Sequence, residues 1–224
     1  MPTENAKNRG YYKIKGAADA FNFDFRNKVV LDIGSSTGGF TEYALDHGAK
    51  KVIAIEKGTN QMAKPLRYDP RIDLHEKTDV FKAKTIGLSS EEHPQLLRGR
   101  SDEPREDGRE ERSEEDNPIV YVEIPDVIVA DVSFISLKKV LSHAKGHLSD
   151  EQTEFLVMLK PQFEATPAQL NRGIVKNEKI RRDIIKQFEL WLKLNGFIIL
   201  AKRDNELKGR NGNIERFYHL KLAK

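Results

Sequence analysis

The sequence predicts an α/β fold, a doubly wound, mostly parallel sheet of seven strands with helices on both faces. Three observations carry that prediction. Short apolar runs alternate with amphipathic segments of helical spacing along most of the 224 residues, the order that builds βαβ units. One run, VVLDI at 29–33, passes directly into a Gly/Ser/Thr-rich turn and then an amphipathic segment, which is how open α/β sheets build a nucleotide crevice. The last two apolar runs, 197–202 and 215–222, follow the longest helical pattern and are joined by a short connection, so the final strand should run antiparallel.

Taken in order, residues 1–10 are polar and are expected to fray. Residues 11–25 mix Tyr11, Tyr12, Phe21 and Phe23 with Lys13 and Lys15, a pattern for a short helix packed on the sheet. Strand one is 29–33. Helical spacing follows from Phe40 to Leu45, with Gly48 as its stop signal. Strand two is 51–56 and ends on an acid. Residues 60–67 suggest a short helix made irregular by Pro65, 71–75 a third strand, and 78–81 a turn. The strongly apolar 125–131 is strand four, and Ser136 reads as the N-cap of a helix over 137–144. Strand five, 153–160, is stopped by Pro161. The helix over 178–194 puts Ile180, Ile184, Ile185, Phe188, Trp191 and Leu192 on one side and ends at Asn195-Gly196. No internal repeat is present, and the whole chain, 1–224, is expected to be one domain.

Residues 88–117 differ in character. They carry eleven acidic against five basic side chains and few apolar ones, a composition that cannot offset the entropy of ordering. They read as a charged, disordered insertion between two elements. Their net −6 leaves +9 on the remainder of a chain whose total is +3, a basic body suited to a phosphate-backbone partner. Cysteine is absent, so neither a disulfide framework nor a thiolate metal site is expected. His143 and His147 are the one histidine pair at helical spacing; they fall at a predicted helix end, and no metal site is assigned to them. No apolar run reaches membrane-spanning length and the first residues hold no apolar signal core, so a cytoplasmic protein with no membrane partner is expected.

Ligands of an open parallel sheet bind at the carboxyl ends of its strands. The polar groups there are Asp32, Glu56, Asp79, Asp131 and Lys160, after strands one to five. The turn between Gly34 and Gly39 lacks the glycine spacing of a dinucleotide site, and an acid beside it suits a cationic ligand better than a pyrophosphate. S-adenosylmethionine fits, with Glu56 set to accept from both ribose hydroxyls and Asp79 from the adenine amino group. Asp131 and Lys160 end adjacent, very apolar strands. They should lie close together and partly desolvated, as a site that orients and activates a hydroxyl would require. Glu215 opens the last strand after the glycine-rich loop 208–213.

LDIGSSTGGFTEYALDHGAKKVIAIEKG, ADVSFISLKKVL, LVMLKPQFEA, RGIVK and GRNGNIERF together resemble, in the same order, the TlyA family of ribosomal RNA methyltransferases, within the wider FtsJ-like group of ribose 2′-O-methyltransferases. The resemblance covers about 29–75 and 125–222. It implies S-adenosylmethionine as methyl donor and a ribosomal RNA ribose 2′-hydroxyl as acceptor, so RNA or a ribosomal subunit as partner. It implies a cofactor site lined by Asp32, Gly34, Ser35, Ser36, Thr37, Gly38, Gly39, Phe40, Glu56, Asp79 and Asp131. The family is similar in using a lysine–aspartate–lysine–glutamate set, whose last three members fall on Asp131, Lys160 and Glu215, with no metal.

Three departures accompany the resemblance. The family's Arg-Gly-Ala-x-Lys-Leu run is compared with Lys15-Gly16-Ala17-Ala18-Asp19-Ala20, which puts Asp19 where the first lysine is expected and leaves Lys13 and Lys15 as the nearby alternatives. The small RNA-binding domain that members often carry ahead of the catalytic one is not found in these residues. Arg216 stands between Glu215 and Phe217, where the family tends to put the aromatic directly after the glutamate. The first of them, Asp19 in place of the lysine, motivates the alternative, a catalytically silent S-adenosylmethionine- or RNA-binding module acting in ribosome assembly.

Overall fold

The computed structural model describes residues 7–85, 120–209 and 211–224, so the charged segment 88–117 lies outside the described residues. In chain order the elements are α1 (Arg9–Phe21), β1 (Val29–Ile33), α2 (Gly39–Asp46), β2 (Lys51–Ile55), α3 (Lys64–Arg67), β3 (Ile72–His75), β4 (Ala83–Thr85), β5 (Val120–Val122), β6 (Val127–Ala130), α4 (Leu137–His147), β7 (Glu154–Leu159), α5 (Pro161–Glu164), β8 (Leu170–Asn171), β9 (Ile174–Val175), α6 (Glu178–Leu194), β10 (Phe197–Asp204) and β11 (Arg216–Leu222). The main sheet has seven strands in the order β10-β11-β7-β6-β1-β2-β3. Only β11 runs antiparallel, to β7 on one side and β10 on the other. The seven strands expected from sequence are these seven.

The period-two alternation of strands sorts the core into two layers. Leu31 and Ile33, Ile128 and Ala130, Phe155 and Val157, and Tyr218 and Leu220 face α4 and α6, meeting Leu141 and Phe188 there. Val30, Val127, Val129, Leu156, Met158 and Phe217 face α1 and α2, meeting Ile14, Ala17, Phe40 and Tyr43. Each large side chain removed from water in this way contributes about 1.5–3 kcal/mol. Extending the second series by two residues reaches Asp32, Asp131 and Lys160, and stepping back two from Phe217 reaches Glu215. The strand period thus puts four ionisable groups on the one face that α1 and α2 cover.

The structure departs from several sequence expectations. Order begins before residue 10: the Asn8 side chain accepts from Tyr11 N at 3.1 Å and starts α1 at Arg9, and Asn22, at φ 50°, ends it. Ser136 holds the N-cap position of α4, but its hydroxyl does not cap. Glu164 of α5 does so from across the fold, accepting from Leu137 N and Ser136 Oγ at 2.7 Å each, and burial raises its pKa. The two small pairs, parallel β4–β5 and the β8–β9 hairpin, were not expected, because two or three residues show no periodicity. Arg172 and Gly173, at φ 48° and 79°, turn the hairpin with the left-handed pair that tight two-residue turns require.

Candidate active site

Four elements bring the ionisable groups together. Lys13, on the buried stripe of α1, donates from Nζ to Glu215 Oε2 at 2.7 Å and lies 3.9 Å from Asp131 Oδ2. Asp131 Oδ1 is 2.7 Å from Lys160 Nζ as an ion pair, while the hydrogen bond of Lys160 goes to Ser133 Oγ at 2.7 Å. The result is a run of alternating charge, Glu215–Lys13–Asp131–Lys160, formally neutral, that ends on a hydroxyl. Its members are largely shielded, with side-chain exposures of 3% for Glu215, 10% for each lysine and 21% for Asp131. Charges this sheltered are kept because they are mutually paired, and removing one member strands its partner.

Of the two lysines the sequence left open, Lys13 joins the run and Lys15 does not, and Asp19 does not stand in the place of Lys13. Buried Lys13, Ile14, Ala17 and Ala18 form one helical stripe, whereas Asp19 lies outside it. Asp19 pairs with Lys15 at 2.6 Å and accepts from the Tyr43 hydroxyl at 3.1 Å; the Lys15 hydrogen bond holds its pKa below the usual carboxylate range. The stripe itself was the available signal, since a lysine at i with Ala17 at i+4 points where the alanine points. Arg216 is explained as well, its guanidinium lying 2.6 Å from Asp204, which Arg181 also meets at 2.6 Å.

The glycine loop lies beside this run. Gly34, at φ 80°, brings β1 close to β6, and a Cβ there would stand 3.3 Å from Asp131 O. Gly39 serves a different purpose from the close ligand approach expected of it: a Cβ at this position would lie 2.7 Å from Tyr11 N and 2.8 Å from Gly10 Cα, so it lets α2 dock on α1. Gly38, at φ 89°, turns the chain into α2, with Thr37 exposed beside it. Phe40 is buried against Phe217, ring centroids 5.9 Å apart, beneath the loop.

The acids divide by partner. Asp32 is buried and its Oδ2 accepts from Thr41 Oγ1 at 2.6 Å, while Oδ1 and the neighbouring Ser35 Oγ are buried without a hydrogen-bond partner. Burial pushes the Asp32 pKa up to about 7. Glu56 accepts from Ser36 N at 2.8 Å and Gly58 N at 2.6 Å, so it braces the glycine loop with both oxygens and has one further lone pair on each for a ligand. Asp79 accepts from Phe81 N at 3.1 Å and from Lys57 Nζ at 3.2 Å, which ties it to the start of a short 3-10 turn. Two unpartnered buried polar atoms beside a glycine turn fit the cationic amino-acid end of S-adenosylmethionine, and Glu56 and Asp79 at the next two strand ends fit its nucleoside.

Two aromatic residues flank Lys160. Phe163 lies under its ammonium at 5.9 Å, and Phe134, 5.3 Å from Phe163, is 92% exposed on a backbone at φ 65°. A bulky residue at positive φ is strained, and an exposed ring buries little apolar surface to offset that cost.

An open sheet with one antiparallel strand, a glycine turn after β1 and paired charges at the strand ends define the class, a Rossmann-like methyltransferase domain. The chain belongs to the FtsJ-like methyltransferase family, whose model matches residues 6–222. It is 32% identical over 214 residues to a Mycobacterium tuberculosis protein named 16S/23S rRNA (cytidine-2′-O)-methyltransferase TlyA, covering 95% of this chain and 67% of that one. It is 30% identical over 213 residues to YqxC of Bacillus subtilis, named as a candidate rRNA methyltransferase, covering 95% of this chain and 64% of that one. A solved structure of a candidate hemolysin from Streptococcus thermophilus matches with a TM-score of 0.78 at 28% identity, over 98% of this chain and 68% of that one. This chain therefore spans about two thirds of the length of these relatives. Among the described residues no helix is long and apolar enough to cross a membrane.

Proposed function

We propose that the protein is an S-adenosylmethionine-dependent RNA methyltransferase that methylates a ribose 2′-hydroxyl of ribosomal RNA, acting in the cytoplasm on the RNA or a ribosomal subunit. The observation that carries this reading is the charge run Glu215–Lys13–Asp131–Lys160 ending on a hydroxyl. The family membership and the names of the relatives support it. So do the exposed Phe134 beside Lys160, which offers a stacking surface for a nucleobase, and the basic character of the chain outside 88–117.

Asp32 and Ser35 would hold the amino-acid end of S-adenosylmethionine, and Glu56 and Asp79 its ribose and adenine. S-adenosylmethionine supplies an electrophilic methyl group. Lys160 Nζ would donate to the ribose oxygen in the place that Ser133 Oγ takes here and orient it, the hydroxyl proton leaving to water as the oxygen is methylated. Asp131 keeps Lys160 in place through Oδ1 and faces Lys13 with Oδ2, while Glu215 fixes Lys13 from the other side. The chain's contribution is positioning and fixed charge in a sheltered site. The silent-module alternative was motivated by Asp19, and with Lys13 in the run that motive is gone.

The test is transfer of labelled methyl from S-adenosylmethionine to unmodified ribosomal subunits, with Lys160→Ala alongside. Label in ribose is expected for the wild type, and a loss of about 10²–10³-fold with retained cofactor binding for the variant, the range for losing a fixed donor at a reacting oxygen. Unchanged turnover in Lys160→Ala would refute its role.

A further inference from the structure

On the β10–β11 side of the charge run lies a shallow depression that opens to solvent. One wall is α1, through Tyr12 and Gly16; the other is the end of β10 and the chain after it, through Arg203, Glu206 and Leu207; Phe217 also lines it. The depression shares its framework with the proposed catalytic groups. Gly16 is about one turn of α1 beyond Lys13, and Phe217 points to the same face of β11 as Glu215. Asn205 N donates to Glu215 O at 2.8 Å, and Gly209 packs so near that a Cβ there would lie 2.8 Å from Glu215 Oε1. The depression therefore adjoins the Lys13–Glu215 end of the charge run.

Its chemistry is that of a stacking platform with a cation at the rim. Tyr12 is 49% exposed, yet its ring is held edge-on by Tyr11 at 5.7 Å, and Tyr11 in turn meets Tyr43 at 5.2 Å. Arg203 is held as well, donating from Nη1 to Gly16 O at 3.0 Å and from Nη2 to Glu206 Oε1 on the same wall at 2.5 Å, an exposed carboxylate that a phosphate would have to displace. Leu207 adds an exposed apolar edge. A fixed, half-exposed aromatic ring, an aliphatic edge and an oriented guanidinium suit a planar base joined to a phosphate. A small methyl acceptor, confined to Lys160, would make no use of a second ring site.

We propose that this depression binds the nucleotide adjoining the methylated one in the RNA strand, its base stacked on Tyr12 and its phosphate met by Arg203. The inference rests on the RNA methyl-transfer reading above. The experiment uses the full chain and compares wild type, Tyr12→Ala and Tyr12→Phe in methyl transfer to ribosomal RNA. Tyr12→Ala should raise the KM for RNA about tenfold, the scale of one lost base–aromatic stack, with kcat and S-adenosylmethionine affinity unchanged. Tyr12→Phe should restore it. Photo-cross-linking of 5-iodouridine placed next to the methylated nucleotide should mark Tyr12. An unchanged RNA KM in Tyr12→Ala together with no cross-link at Tyr12 overturns the inference while leaving the methyl-transfer reading intact. Absence of RNA methylation by the wild type overturns that reading, and the inference with it.

Discussion

The two faces of α1 carry the same kind of ion pair at nearly the same distance, and the pairs do different work. On the outer face Lys15 and Asp19, four residues apart, meet at 2.6 Å with 47% and 53% of their side chains exposed. On the inner face Lys13 meets Glu215 at 2.7 Å with 10% and 3% exposed, across a sequence separation of 202. Water screens the first pair, so it contributes at most about 1 kcal/mol. The second has little water to fall back on, so each charge depends on the other for its place. Separation from solvent, more than distance, distinguishes an ornamental pair from one that can hold a reacting group.

The largest effect should come from breaking the inner pair. Lys13→Ala is expected to lower methyl transfer at least about 100-fold. It should also cost about 3–5 kcal/mol of stability, because Glu215 is left buried and unpaired. Lys13→Ala combined with Glu215→Gln should recover much of the stability, read from urea unfolding, and none of the activity. Recovery of activity in the double variant would show that the pair is structural only.

Asp32 sharpens the comparison, being buried on the same face of the sheet but meeting a hydroxyl instead of a cation. Its pKa is raised from 3.8 to about 7, so the native state holds a proton that the unfolded chain releases at lower pH. Its contribution to stability is therefore fully present below about pH 4 and is lost as pH rises through about 7. Urea midpoints at pH 5 and pH 8 should show the wild type losing ground, over that window, relative to Asp32→Asn. Parallel pH profiles would remove the buried charge from the account.

The smallest effect belongs to the outer pair. Asp19→Asn should shift stability by less than about 0.5 kcal/mol and leave methyl transfer unchanged. A methylation assay that found Asp19→Asn inactive would overturn the assignment of Lys13 as the first lysine of the set.

The seven strands were legible because apolar runs and period-two alternation are written locally, and the polar groups at the strand ends followed from them. Lys13 was within reach of the same logic, since the stripe Lys13–Ile14–Ala17–Ala18 has helical phase. Comparing α1 with a motif by glycine position alone drew attention to Asp19 instead. Glu164 was not legible in this way. It caps α4 from a four-residue helix that follows a different strand, and nothing near Ser136 in sequence announces it. The same holds for Arg216, whose partner Asp204 is reached only when β10 and β11 pair.

The sequence by itself determined the strands, the glycine turn and, through the parity of β1, β6, β7 and β11, the common face of Asp32, Asp131, Lys160 and Glu215. Only the tertiary structure decided which lysine joined them, which hydroxyl Lys160 meets, and that Gly39 serves the contact of α2 with α1. The physical reason is range. Strand parity is set by residues two apart, whereas the Lys13–Glu215 pair forms only after α1 has docked on a sheet whose β11 strand is made from the last residues of the chain.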